Sequence, residues 1–392
     1  MCGLIKSSNP MKKVFTRAVL ALPVVLLLLI AGSFLIWAVK PSRPLDVFIL
    51  NKTVPTEYRH EHRSLHWVLN HHKYVKKNNS HYRLKKDYYG FFPINPEEEK
   101  FDFRSLSIRD VDRISDSVDM AFYADTYGVY YNDWYTGKGP DVSDTQKVYG
   151  GLNQNDYLLL QALKEKGKTI VTEFVLLDQS ASNLVRRKTE ELLHLQWEGW
   201  IGKYFSSLQP NTIPGWIRDL YHARHKEKWS YSGPGVVLIH KYGQVVVLEE
   251  GQHLNEPMPV INTCPQLADR FALPRHMPYP NWFDITLTDS TNHVTARFQL
   301  STTPQGDSLL NNFRLKPTFP AIIQHEGSYR FYYFAGDFSQ NPVSTPTSYF
   351  EGIQHLDFLL YDKEPSSSGR FFWKYYLPLT RGILRETYKE SR

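Results

Sequence analysis

The hydrophobic pattern of the chain opens with one long run and then breaks into short ones. Residues 18–39, AVLALPVVLLLLIAGSFLIWAV, are 22 positions without a charge. At about 1.5 Å per residue, a helix of that length crosses a bilayer core of roughly 30 Å. Beyond it, apolar blocks of strand length alternate with stretches of helical period. LDVFIL at 45–50 reads as a buried first strand, and residues 57–73 read as a helix with Leu65, Val68 and Leu69 on one face. Residues 74–109 are polar with little periodicity, which predicts a long loop packed through its aromatics. SVDMAFYAD supplies a second strand, whose apolar run 118–124 stops at Asp125, beside Thr126, Tyr127 and Gly128. GGLNQNDYLLLQALKEKGKTIVTEF is the most legible unit. Asn153 or Asn155 caps a helix, Leu159, Leu160 and Leu163 face inward, Gly167 ends it, and KTIVTEF is a third strand. Strand, helix and strand of these lengths predict a right-handed parallel crossover. Helices follow at 182–193 and 214–229, then β pairs at 235–251, 281–302 and 319–338, and a final helix to Glu390. The expected fold class is α/β: a mostly parallel sheet with helices on both faces and β-rich embellishments, preceded by one transmembrane helix.

The first run outlasts the 7–15 apolar residues or so of a cleaved signal peptide and ends near Trp37, an interface-type residue. Both features predict an uncleaved signal anchor. Lys6, Lys12, Lys13 and Arg17 precede it, and only Lys40 and Arg43 follow closely, so the positive-inside rule puts the N-terminus in the cytoplasm. The chain then divides into a cytoplasmic tail (1–17), an anchor in the cell membrane (18–39) and an extracytoplasmic domain (44–392), with the lipid bilayer as first partner. MKKVFTR at Met11 also reads as a natural start. The net charge of +6 comes from the N-terminus: residues 1–43 hold six Lys/Arg and no acid, and the remaining 40 bases balance 40 acids. A neutral domain argues against nucleic acid as a partner, because phosphate binding needs a basic footprint. Cys2 and Cys264 lie on opposite sides of the expected membrane, so no disulfide framework is predicted.

Open parallel sheets bind ligands outside the carboxyl ends of their strands. The first predicted strand ends at Asn51-Lys52, the second at Asp125 followed by Thr126 and Tyr127, the third at Glu173 and a late one at Asp337. Three carboxylates and an ammonium at corresponding ends point to one crevice. Asp125, Glu173 and Asp337 are the candidate catalytic acids, and Asn51, Lys52, Thr126 and Tyr127 are candidate ligand-binding residues. The competing reading is that each acid only caps a strand end by accepting from loop amides. A carboxylate pair suits glycosidic bond cleavage if the two groups lie about 5–10 Å apart. Of the tryptophans at 134, 197, 200, 216, 229 and 282, most are expected in the core, with Trp200 as a candidate platform for a sugar ring.

Other motifs carry less. His62 and His66 stand at i,i+4 and could share a metal, but no third ligand is evident and a solvated basic face is the expectation. DVD at 110–112 imitates a glycosyltransferase metal motif, yet precedes its strand instead of ending it. HKE at 225–227 imitates the His-x-Glu of an amidotransferase triad. Cys264, before a proline and without flanking glycines, lacks the sharp strand–helix elbow a nucleophile needs. There is no Gly-x-Ser-x-Gly and no phosphate-cradling loop. Neither a metal nor a cofactor is expected. Arg187, Lys203 and Arg218 are candidates to line an anion site.

The order of FYADTYG and GGLNQNDYLLLQALKEKGKTIVTEF resembles the front half of class I glutamine amidotransferase-like domains. FPAIIQHEGSYRFYYFAGDF resembles the trehalose-utilisation-type branch, with Gly336-Asp337 at the place of that branch's Gly-His pair. The resemblance runs loosely from Asp46 to about Pro342 and is nearest to uncharacterised membrane-anchored bacterial proteins. It implies a flavodoxin-like sheet with a crevice at its carboxyl edge. The family's nucleophilic cysteine has no counterpart here, so glutamine hydrolysis is not expected. Three functions are carried forward: a membrane-tethered extracytoplasmic binding or scaffold module serving envelope or exported polysaccharide and its assembly proteins; a carbohydrate-active hydrolase using the strand-end acids; and a type II membrane glycosyltransferase, which lacks a well-placed metal motif.

Overall fold

A computed structural model describes residues 10–135 and 146–392, and side chains within the first helix from Pro23 onward. The strands that matter for the site are β1 (Val47–Asn51), β2 (Tyr89–Asn95), β3 (Lys100–Arg104), β4 (Met120–Asp125), β5 (Thr169–Glu173), β6 (Leu195–Phe205), β7 (Gly235–His240), β8 (Val245–Glu249), β9 (Leu254–Thr263), β10 (His276–Pro278), β11 (Trp282–Thr288), β12 (His293–Thr302), β13 (Thr318–Glu326) and β14 (Arg330–Phe334). A ten-stranded sheet runs in the order β10-β9-β12-β13-β14-β5-β4-β1-β2-β3. Its five central strands, β14-β5-β4-β1-β2, are mutually parallel. The flanking pairings are antiparallel. The sheet is therefore mixed, not mostly parallel. Short links such as the turn between β13 and β14 admit only antiparallel neighbours, whereas the crossover through residues 154–165 permits a parallel one.

β1 and β5 are buried at every position and β4 at all but Asp125, so both faces of this block are covered. The helices are α1 (Pro10–Val39), α2 (His60–His71), α3 (Ile108–Ser117), α4 (Gln154–Glu165), α5 (Asn183–Leu193), α6 (Gly215–His225), α7 (Pro265–Phe271), α8 (Pro304–Asn312) and α9 (Leu377–Glu390). α4 starts at a capping box in which Asn153 accepts from the Asn155 and Asp156 amides. The polar stretch 74–109 contains the β2–β3 hairpin as well as loop. Its aromatics supply the strand face, and Gly90 (φ 132°) lets β2 approach β1 where a Cβ would lie 1.6 Å from the Asn51 carbonyl oxygen.

A second sheet, in the order β8-β7-β6-β11, packs its own apolar cluster of Ile217, Tyr221, Val237 and Val247 under α6. It touches the large sheet beyond the end of β14. There the Asp284 amide donates to the Ala335 carbonyl (3.0 Å) and the Asp337 amide to the Trp282 carbonyl (2.9 Å).

α1 is a single helix. Val24–Ile30 and Phe34–Ile36 are exposed, and Trp37 is buried against the body. Among the described residues no helix is long and apolar enough to cross a membrane. The expected tail and anchor fall partly outside those residues: 1–9 entirely, and 10–22 as to side chains.

Candidate functional site

The parallel block brings strand ends together by register. Phe334 stands opposite Glu173, Tyr123 opposite Thr172, and Asn51 opposite Asp125. The chain leaves β14 through Ala335-Gly336 to Asp337. The bond from the Asp337 amide to Trp282 fixes this loop against β11. Asp125, Glu173 and Asp337 thus stand along one carboxyl edge, at the ends of three neighbouring strands. A fourth acid joins them. α2 begins above the end of β1, and Glu61 in its first turn is 8% exposed. Lys203, on β6 directly opposite Trp282, brings an ammonium to the Asp337 side.

Each acid is wired differently. Asp125 accepts from the Thr53 hydroxyl and the Tyr127 amide, both on Oδ1. Glu173 accepts from the Ser339 amide (3.0 Å) and hydroxyl (2.9 Å), both on Oε2. Its Oε1 is buried without a hydrogen-bond partner. Such an atom costs roughly 1–3 kcal/mol of desolvation unless something reaches it. Asp125 and Asp337 are each half-buried and keep part of their surface open to solvent.

The electrostatics follow. Burial pushes Asp125 well above the usual carboxylate range, and Glu61 and Asp337 push it further against the Thr53 hydrogen bond. Glu173 is raised by burial, then by Asp337 and Asp125. Asp337 is pushed up to about 7 by burial and by Glu61, with Lys203 pulling the other way. Glu61 is also pushed up to about 7 by burial, despite the amide of Asn51 and the guanidinium groups of Arg63 and Arg59. Burial therefore shifts all four acids toward the protonated form, in which a carboxyl both donates and accepts. Among the described residues no group of three or more His, Cys, Asp or Glu is placed to hold a metal. A formed cavity of about 280 Å³ lies elsewhere, beside Pro342, Leu360 and Trp373.

The other expected residues divide. Tyr127 is exposed, its ring tilted against that of Tyr130 at the rim (centroids 4.7 Å apart). Asn51 is buried and bound inward: its amide meets His62 Nδ1 (2.6 Å) and Glu61 Oε2 (3.4 Å), so it holds Glu61 in place. Lys52 is 2% exposed and gives its charge to Asp156 and the Gly151 carbonyl. Thr126 donates to the Val175 carbonyl and is buried. Trp200 is a core residue: it is 5% exposed on β6, edge-on to Phe313 and beside His240, because β6 pairs on both sides within the second sheet.

The histidines of α2 correct the expectation of a solvated face. His62, His66 and His71 are buried, and burial depresses all three. Neutral His62 accepts from Asn51 at Nδ1 and donates from Nε2 to the Leu84 carbonyl. Asp110 is a helix cap: its carboxylate accepts from the Ser107 amide and pairs with Arg113. Cys264 caps α7, with its sulfur 3.5 Å from the Leu267 amide.

Glu61 is the site acid that the sequence reading does not single out, because in HEHRSLHWVLNHH the imidazoles carry the visible motif. A usable signal was present. A helix that follows a parallel strand starts at the sheet's carboxyl edge, so an acid in its first turn belongs to the same rim.

Searches against known protein families and against curated proteins returned no match.

Proposed function

We propose that the protein is a membrane-tethered extracytoplasmic module that binds envelope or exported polysaccharide in this crevice and lacks amidotransferase activity. The observation that carries the reading is the gathering of Asp125, Glu173 and Asp337 on adjacent parallel strands, with Glu61 beside them and one Glu173 oxygen unpartnered. Carboxyl groups in a partly open crevice make paired hydrogen bonds to vicinal hydroxyls, and Tyr127 offers an aromatic rim. The architecture suits it. The parallel block runs β2-β1-β4-β5-β14, so its strand order reverses at β1, a point that ligands favour, and we read that block as flavodoxin-like. Cys264 as a helix cap supplies no nucleophile for glutamine. The apolar run 18–39 and the exposed side chains Val24–Ile30 support the tether, with the N-terminus cytoplasmic.

The test is binding of the full-length protein, held in lipid nanodiscs, to envelope and exopolysaccharide fractions. Asp125→Asn and Asp337→Asn each weaken capture about tenfold, the loss of about one hydrogen bond to a sugar hydroxyl. Undiminished capture by both variants removes the crevice from the function.

A second reading has its own support. Glu61 and Asp337 hold protons to about pH 7, which is where a general acid works best. If the module is a carbohydrate hydrolase, Asp337→Asn lowers product release by about 10²-fold or more while capture survives.

A further inference from the structure

The exposed apolar side chains of this molecule are not scattered evenly. Leu356 (48% exposed), Phe358 (54%), Leu359 (69%) and Leu360 (39%) fall within five consecutive positions, in and just after a short 3-10 helix, Ile353–Leu359. The one charged residue among them turns the other way: Asp357 is 9% exposed and pairs with Lys374 (2.5 Å). The segment therefore shows apolar groups to the outside and keeps its charge against the body, the reverse of an ordinary surface turn.

Its neighbour on the body is the N-terminal helix. The Glu351 amide donates to the Ser33 carbonyl (3.3 Å), and the Ser33 hydroxyl donates to the Glu351 carbonyl (2.7 Å). Phe350 lies 6.3 Å from Phe34, Tyr349 meets Trp37 edge-on at 4.9 Å, and Glu351 pairs with Lys40 (2.6 Å). These contacts fix a depth. Ser33 lies six residues before Val39, the last uncharged position of the run. That is about 9 Å down a helix rising 1.5 Å per residue. If the run crosses a bilayer, the strip 349–351 is carried below the level at which the helix leaves the membrane, and the apolar turn begins two residues later.

We infer that residues 349–360 form a second membrane contact, in which Leu356, Phe358, Leu359 and Leu360 enter the boundary between lipid headgroups and acyl chains beside the anchoring helix. This inference rests on the tether proposed above and adds to it. One helix leaves the domain free to swing about its exit point, whereas a helix and an apolar turn held together through Ser33 and Glu351 fix one face toward the bilayer. Trp37 and Tyr349, in contact at the exit, are the residue types that favour this layer. Lipid is the occupant the contacts favour, because residues 349–351, just before the turn, are held against Ser33 and Phe34 within the apolar run itself.

The test uses the full chain with Cys2 and Cys264 changed to Ser, reconstituted in phosphatidylcholine–phosphatidylglycerol vesicles. An environment-sensitive fluorophore is attached at Leu359→Cys and, as a second probe against misfolding of the first, at Leu356→Cys. Leu28→Cys in the apolar run and Tyr242→Cys, 68% exposed on the second sheet, are the reference positions. Acyl-chain nitroxide lipids are expected to quench the Leu359 and Leu356 probes several-fold more than the Tyr242 probe, with a blue-shifted emission. If Leu28 is quenched while Leu359 and Leu356 behave like Tyr242, the second contact is overturned and the tether stands. If Leu28 is not quenched either, both ideas fall.

Discussion

Two groups of buried acids lie close together in this sheet and are built in opposite ways. At the switch between β1 and β4, Asp156 is 1% exposed but meets the Lys52 ammonium and accepts from the Asn153 amide, while Lys52 also donates to the Gly151 carbonyl. Burial raises Asp156, and the Lys52 charge opposes that rise. One strand further along, Glu173 is equally buried, yet Asp337 and Asp125 add to its burial penalty and one of its oxygens has no partner. Both are carboxylic acids, and both are 1% exposed. The difference is whether the fold itself completes the electrostatics. A completed pair closes a chain crossing, and the incomplete set is the feature on which the proposed binding site rests.

The sharpest way to break the comparison is to unbalance the completed pair. Lys52→Met keeps the stem and leaves Asp156 buried without its cation. Removing one partner of a buried pair typically costs about 3–5 kcal/mol. Urea unfolding of the protein in detergent should show a loss of that order, and Lys52→Met/Asp156→Leu should recover much of it. A loss below about 1 kcal/mol would mean that the pair is solvated and the contrast with the crevice is false.

The crevice should instead betray itself through pH. Asp337 is raised from 3.8 to about 7, so between those values the folded state holds a proton that the unfolded state has lost. Stability therefore falls as pH climbs from about 4 to about 7 and levels off above, with a slope of at most about 1.4 kcal/mol per pH unit for one group. Partial exposure of Asp337 makes that figure a ceiling. Asp337→Asn flattens the slope by one group's share. Superimposable slopes for the two proteins between pH 4.5 and 7.5 would show that Asp337 titrates as it does in water.

What the sequence disclosed about these two regions depended on how local the signal was. The α4 unit was legible because its cap, apolar face and stop lie within a few residues of one another. The strand-end acids were legible because strands end where apolar runs end, and a parallel sheet aligns those ends. Lys52 looked like a ligand group because its partner, Asp156, comes 104 residues later. Trp200 looked like a platform because the pattern of LQWEGWIGKYF does not disclose that both edges of β6 are taken. Glu61 was hidden for a related reason: its place depends on where α2 lands over β1, which rests on the turn at Arg59 (φ 50°) and on Asn51 beneath it. The antiparallel wings escaped notice as part of the main sheet because β pairs fix their own register without saying what they join.

The smallest expected effect discriminates most finely. Glu173→Gln keeps a carbonyl oxygen to accept from the Ser339 amide and hydroxyl, and it puts an NH2 where the unpartnered oxygen was. That NH2 points into a group of acids, so it gains an acceptor from Asp337 or Asp125 and removes one charge from a repelling set. The variant should be more stable than the parent by about 1 kcal/mol at pH 8, where the acids are most ionised, and indistinguishable at pH 5. The same change at the completed pair, Asp156→Asn, has the opposite sign at both pH values, because it strips Lys52 of its counter-charge. Capture of polysaccharide by Glu173→Gln should fall even as its stability rises, which is the trade expected of a site left unfinished for a ligand. A Glu173→Gln protein destabilised at pH 8 would show that Glu173 is ionised and held by its neighbours, a structural acid like Asp156, and the distinction between the two regions would be gone.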